Sequence, residues 1–350
     1  MFLSLGSFFV HLLVLFPDYV HPLIEPYRPW YIRLVNVIGR YFSQYLGVEL
    51  ASFDIDSLKQ AASAAAGGLT DFGDEVYAAP LNQIVAEFFR AGEPTFMGKL
   101  ASRMQLVDAL ALRLRFVDYF KQHPEIFSDE NRVDRPVFIV SHPRSGSTLV
   151  NNMLAAHDEL RTPHSWELMK PFPRPELVLT LEHQANIDEI QGLVSVLDYI
   201  VPDMQAIHPI DPYNAEEGEI VLNSAIASPL QTPMSLGFHK WLMVNRDTLG
   251  SAAVDWMDSV LRYFQSAKDL QNGRRWVIKT TTAGYLLEDI FERFPDAAII
   301  NLHRDPDKAH VCTRLSRHVT QCIPFFFPCV HASDVAVELT CLMFLATFHP

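Results

Sequence analysis

Through most of Ile55–Gln122, apolar residues return every three or four positions, the period of one face of an α-helix. DSLKQAASAAAGG places Asp56 as an N-cap and the Gly67-Gly68 pair as a stop. LNQIVAEFFRAG and FMGKLASRMQLVDALALRLRFVDYFKQH predict further amphipathic helices. The texture then changes. VFIVSH (Val137–His142), RWVIKT (Arg275–Thr280) and AAIINLH (Ala297–His303) are short, continuous apolar runs. Pro143 ends the first of them, and a helical pattern follows from Ser147. GYLLEDIFERF and DKAHVCTRLSRH, after the other two, also read as helices. Apolar strands alternating with helices predict a parallel sheet covered on its faces. The expected fold class is therefore α/β, with a central parallel sheet flanked by helices and an all-helical region before it.

The chain divides on this pattern into an arm over residues 1–50, a helical region over 51–130 and an α/β domain over 131–350. In the arm, Met1–Pro17 carries no formal charge, and it has neither the basic start nor the cleavage site of a signal peptide. At seventeen residues it is at the short limit for crossing a bilayer. Tyr27–Phe42 is apolar and aromatic with Arg28, Arg33 and Arg40 interleaved. Residues 1–42 thus admit two readings: an interfacial membrane anchor, or a helical arm packed on its own domain or on a second subunit in an oligomer.

Composition narrows the function. Among 350 residues, 28 Lys and Arg face 41 Asp and Glu, a net charge of −13, which argues against a nucleic-acid partner. All four cysteines (Cys312, Cys322, Cys329 and Cys341) lie in the last forty residues, and no CxxC occurs. Free thiols in a reduced, cytoplasmic protein are the expectation, with membrane association open, and no metal site is expected. Positive charge is local. Between Arg174 and Lys240 there are ten acids and no Lys or Arg, whereas Arg132–Arg161 and Arg304–Arg317 form basic islands near strand ends. An anion site needs such islands.

The most informative segment is VFIVSHPRSGSTLVNNML. A strand ends, a tight turn runs through Arg144, Ser145 and Gly146, and a helix starts at Ser147-Thr148. A helix N-terminus offers unpaired N–H groups and the positive end of the dipole. Gly146 allows close backbone approach, Ser145, Ser147 and Thr148 add hydroxyls, and Arg144 can fork two N–H groups onto an oxyanion. The turn has neither the first glycine nor the lysine of GxxxxGK[ST], and no GxGxxG or GxSxG occurs. What remains is a shorter, P-loop-like phosphate turn with arginine in place of lysine.

PRSGSTLV, the WEL of RTPHSWELMKPFP, WVIKTTTAGYLLEDIFERFPDAAIINLHRDP and the upstream GLTDFGDEVYAAPLNQIV occur in that family's order and spacing in resembling the sulfotransferase family, in its Arg-loop branch. The resemblance covers roughly Phe53–Arg317. It implies transfer of a sulfuryl group from 3′-phosphoadenosine 5′-phosphosulfate (PAPS), as co-substrate and without a metal, to an acceptor hydroxyl or amine. Arg144 and the loop residues Ser145, Gly146, Ser147 and Thr148 then hold the 5′-phosphosulfate, and Lys279 reaches the sulfuryl oxygens. The alternative for Lys279 is a solvated strand-end lysine. Glu167, at the family's WEL position, is implied as the general base; its alternative is a structural ion pair with Arg161 or Lys170. His164 is the substitute candidate. Thr281 stands where the cytosolic branch has its histidine.

Arg304 of HRDP is implied to receive the 3′-phosphate, with Cys312 at the position of a helping hydroxyl. A thiol is a weaker donor, so this is a departure from the pattern. Another is the C-terminus, where forty-six residues follow Arg304 and a shortened nucleotide cover is expected. The competing reading is a non-catalytic relative that binds an adenosine phosphate without turnover. For the acceptor, the base-free segment Pro175–His239 favours a small neutral alcohol, phenol or amine if it lines the acceptor site, and is otherwise a set of solvated helix faces.

Overall fold

In a computed structural model of the protein, the described residues are 30–90, 94–141, 144–175, 179–200, 205, 209–228, 236–267, 273–280, 283–305 and 308. Four parallel strands, β1 (Val137–Ser141), β2 (Leu160–Arg161), β3 (Arg275–Thr280) and β4 (Ala298–Leu302), form a sheet in the order β2-β3-β1-β4. The three apolar runs of the sequence are β1, β3 and β4. β2, only two residues long, has no pattern of its own to reveal it.

Alternation along the strands sorts their side chains to two faces. Val137, Ile139 and Val277 pack with Val150 and Leu154 of helix α5 (Ser147–Ala155). Phe138, Val140, Trp276 and Ile278 point the other way, into the main core. That core is built on α2 (Ile55–Ala65), α3 (Ala78–Arg90), α4 (Phe96–Gln122), α8 (Leu236–Val244), α9 (Arg246–Gln265) and α10 (Leu287–Arg293). Complete burial of β1, and near-complete burial of β3, is what continuous apolar strands require.

The helical region follows its sequence pattern, with one correction. Asp54, not Asp56, caps α2: its carboxylate accepts the Ser57 N–H at 2.9 Å, while Asp56 lies within the first turn. Gly67 and Gly68, both at positive φ, end that helix as expected. Arg113, buried on α4, donates to the Phe72 carbonyl and to Asp74, and its guanidinium stacks over Tyr77 and Trp256. Of the arm, only α1 (Trp30–Leu46) and the residues after it are described, and Trp30, Tyr45 and Leu46 are exposed. Among the described residues no helix is long and apolar enough to cross a membrane. Met1–Pro17, all of the helix expected at DKAHVCTRLSRH except Lys308, and all four cysteines lie outside the described residues.

Connections decide where a ligand can sit. From β1 the chain crosses β3 through α5 to reach β2; from β3 it crosses β1 through α10 to reach β4. The two crossovers run in opposite directions on opposite faces, as connections of one hand must. They part at the C-terminal ends of β1 and β3, the place where open α/β sheets leave a crevice.

A strap, residues 212–223, closes the outer edge of β3 beyond β2. Ser165 and Trp166 donate to the Asn214 and Pro212 carbonyls, and the Glu216 N–H donates to Pro163. His164 and Ala215 form an antiparallel bridge, joining the strap to α6 (Ser165–Met169). At Gly218 a Cβ would lie 2.6 Å from Ile278 Cγ2, so the strap lies flat on β3 only because that residue has no side chain. Gly218→Ala is expected to lower stability by about 1–3 kcal/mol, the usual range for overpacking. An unchanged urea midpoint would contradict this close approach.

Candidate active site

The C-terminal ends of β1, β3 and β4 assemble the residues that the sequence singles out. Arg144 has φ 67° and Gly146 φ 99°, so two left-handed residues fold the turn back on itself. For arginine that conformation costs about 1–2 kcal/mol. Gly146 is the residue before α5 and has open space around it, so its backbone angle is what demands glycine. Ser147 is buried, while Arg144, Ser145 and Thr148 are half-buried and Gly146 is exposed. Arg304, just beyond β4, donates from Nη1 to the Arg144 carbonyl at 2.8 Å. A bond across 160 residues thus joins the two basic islands.

Lys279 enters from β3, in register with Ile139 of β1. It is only 2% exposed, which rules out the solvated alternative. Its ammonium donates to Thr148 Oγ1 at 3.2 Å and pairs with Glu217 Oε1 of the strap at 2.8 Å. Three further polar atoms are buried, Ser141 Oγ and Thr280 Oγ1 at the ends of β1 and β3 and Asn151 Oδ1 on α5, and none has a hydrogen-bond partner among the described residues. Unpaired buried hydroxyls are costly, and a bound polar group or water would relieve them.

Glu167 belongs to a second hydrogen-bonded network. It is 2% exposed, and both carboxylate oxygens are engaged: Oε1 by Arg161 Nη2 at 2.8 Å, Oε2 by the His164 N–H at 2.8 Å. The structure brings it to Arg161, one of the two ion-pair partners named from sequence; the other, Lys170, pairs with Glu189. Arg161 in turn lies over the Trp276 ring at 4.4 Å. Trp166 is buried against Ile187, Ile190 and Val194 of α7 (Leu181–Ile200).

Sequence reasoning passed over Glu217. The signal available was its place in a segment with ten acids and no bases, where one acid paired with a lysine cannot be told from its solvated neighbours. Glu182, Asp188 and Glu189 are exposed on α7, whereas Glu216 is buried and Glu217 half-buried. Among the described residues no cluster of His, Cys, Asp and Glu is arranged to hold a metal. Cys312 lies outside them.

Two outcomes follow from the brace at Arg161. Glu167→Ala strips a buried guanidinium of its carboxylate, and is expected to cost about 3–5 kcal/mol in chemical denaturation; a loss below 1 kcal/mol would contradict it. His164, beside this pair, has its imidazole pKa held below 6.5, chiefly by desolvation, with Arg161 and Arg274 adding and Glu167 opposing. The unfolded chain therefore takes up the proton first, and this contribution to stability, present above about pH 6.5, is lost as pH falls below it. An NMR titration midpoint for His164 at or above the unperturbed value would refute the desolvation.

Comparison with known proteins agrees with this fold. The model of the sulfotransferase family matches residues 136–322, more than half of the chain. Sulfotransferase STF9 from Mycobacterium avium superposes with a TM-score of 0.71 at 20% identity, over 85% of this chain and 74% of that one. Sulfotransferase STF1 from Mycobacterium tuberculosis H37Rv gives 0.66 at 21% identity, over 84% and 78%. At these identities the likeness is one of fold. No curated protein matches the chain in sequence. With the family model spanning the phosphate turn, β3 and β4, the chain belongs to the sulfotransferase family.

Proposed function

We propose that the protein transfers a sulfuryl group from PAPS to the hydroxyl or amine of a small acceptor. The observation that carries this reading is the Arg304–Arg144 bond with the Lys279–Thr148 bond beside it. Together they bring the phosphate turn, the strand lysine and the HRDP arginine to one crevice.

Each residue then has a physical task. Sulfuryl transfer shifts negative charge onto the leaving 5′-phosphate, so catalysis is largely positioning and electrostatic stabilisation. Arg144, the N–H groups of Ser145, Gly146 and Ser147 and the Thr148 hydroxyl receive that phosphate, since left-handed turn residues point successive N–H groups into one concavity. Lys279, buried and therefore weakly screened, meets the sulfuryl oxygens. Arg304 takes the 3′-phosphate, with Cys312 assigned beside it. Glu167, at the WEL position, is the general base on this reading, and it also holds Arg161 and the start of α6 in place. Neutral alcohols, phenols or amines suit a site whose strap carries Glu216 and Glu217, because an anionic acceptor would meet like charge. A cytoplasmic setting is part of this reading, on the clustering of the cysteines.

Calorimetric titration with 3′-phosphoadenosine 5′-phosphate (PAP), and with AMP in parallel, tests the donor. Micromolar PAP binding is expected, weakened at least tenfold in AMP and in each of Arg144→Ala and Arg304→Ala. Equal affinity for AMP and PAP would refute the 3′-phosphate assignment, and no binding of PAP would remove the donor altogether.

A further inference from the structure

We propose that the protein docks on a phospholipid surface, with the phosphate of a lipid head group seated in a cationic cavity between α1 and α4. The residues concerned lie outside the crevice at the strand ends, so the inference stands apart from the PAPS reading.

The cavity arises from how α1 meets α4. Gly39 of α1 packs on Phe96, where a Cβ would run into the ring, and Asn36 Oδ1 accepts the Met97 N–H at 2.9 Å. One side of α1 is thereby fixed on the start of α4. Beside this contact is a cavity of about 200 Å³, whose lining includes Asn36, Arg40, Gln44, Glu49, Leu50 and Lys99. Pockets for drug-sized ligands run from about 300 to 1,000 Å³, so this one suits a head group and not a nucleotide.

Its positive charge is uncompensated. Among the described residues neither Arg40 nor Lys99 makes an ion pair, and the Lys99 ammonium has only the Phe89 ring, 5.6 Å away. Glu49, the one acid in the lining, is exposed and pairs with neither. α1 itself carries Arg33 and Arg40 and no acid. Lys99 stands in the first turn of α4, a helix of 27 residues with no acid in that turn. A cation is disfavoured there by the helix dipole, and an anion beside it is favoured. The N–H groups of that turn are already engaged, Met97 by Asn36 and Gly98 by Thr95. An anion in the cavity therefore meets side chains, with Arg40 as a fork and Lys99 as a point charge.

The rim selects a lipid over a free anion. Leu50 of the lining is exposed, and so are Tyr45, Leu46 and Val48 just before it in the chain. A dissolved phosphate gains nothing from these four side chains. A membrane buries them at its interface while a head-group phosphate fills the cavity, the division of labour of an interfacial helix with arginines on its polar side. A protein of net charge −13 is repelled as a whole by an anionic surface, so the local cation pair sets which face approaches. On this proposal α1 is packed on its own domain and still presents the membrane contact.

Co-sedimentation of the full chain with vesicles of phosphatidylcholine and phosphatidylglycerol in equal parts tests this. Wild-type protein is expected to bind, and Arg40→Gln and Lys99→Gln each to lower the partition coefficient about fivefold. Replacing Leu46, Val48 and Leu50 together by serine is expected to lower it about tenfold or more. No binding by wild-type protein overturns the proposal. So does binding that the cation variants or the serine variant leave unchanged, since the contact would then lie elsewhere in the chain. Calorimetry with glycerol 3-phosphate separates the two sources of phosphate: micromolar binding that Arg40→Gln abolishes, without binding to vesicles, means a free phosphate and overturns the lipid assignment. Urea midpoints show whether each variant is folded. If Lys99→Gln is not, Arg40→Gln, at an exposed position, carries the test alone.

Discussion

A positive charge buried at the end of a parallel strand governs this site. Lys279 sits among apolar neighbours of β1 and β3, where water cannot solvate its ammonium, so the fold must supply partners. It supplies them from two directions, Thr148 on α5 and Glu217 on the strap. Both partners depend on backbone architecture. Thr148 is in reach because β1, the adjacent strand, leads directly into α5, and Glu217 because Gly218 lets the strap lie against β3. The lysine therefore reports on the placement of three segments at once.

A second buried pair works alongside it. Glu167 ties Arg161 at the end of β2 to the N-terminus of α6, and Arg161 covers the indole of Trp276 on β3. This brace carries the bridge from His164 to Ala215, and through that bridge the strap that presents Glu217. One glutamate thus holds the frame that positions the other. Buried ion pairs add little net stability compared with apolar packing, but losing one partner is expensive. Such pairs specify position more than they stabilise, which is what a reaction centre built from distant segments requires.

The phosphate turn shows where strain is tolerated. Arg144 adopts a left-handed backbone that a side chain disfavours, and its carbonyl is held by Arg304 from the end of the neighbouring strand β4. The cost of that conformation is met by the surrounding tertiary bonds. Its result is a row of N–H groups and hydroxyls at the N-terminus of α5, with guanidinium groups on its rim, in a protein whose net charge is −13.

Periodicity alone determined the helical region, β1, β3, β4 and the helix start at Ser147, because burial on one face or on both imposes patterns of 3.6 or of continuous apolar residues. The phosphate turn was equally legible, since its glycine, hydroxyls and arginine are adjacent in the chain. β2 was not, because two residues carry no period. Nor was the choice of partner for Glu167 and Glu217. Both are acids in polar-looking stretches, and only the tertiary fold decides that one meets Arg161 and the other Lys279. Local pattern encodes which face of an element is buried. The partner of Glu217 is sixty-two residues away in the chain, and that pairing is decided by how the crossovers and the strap come together.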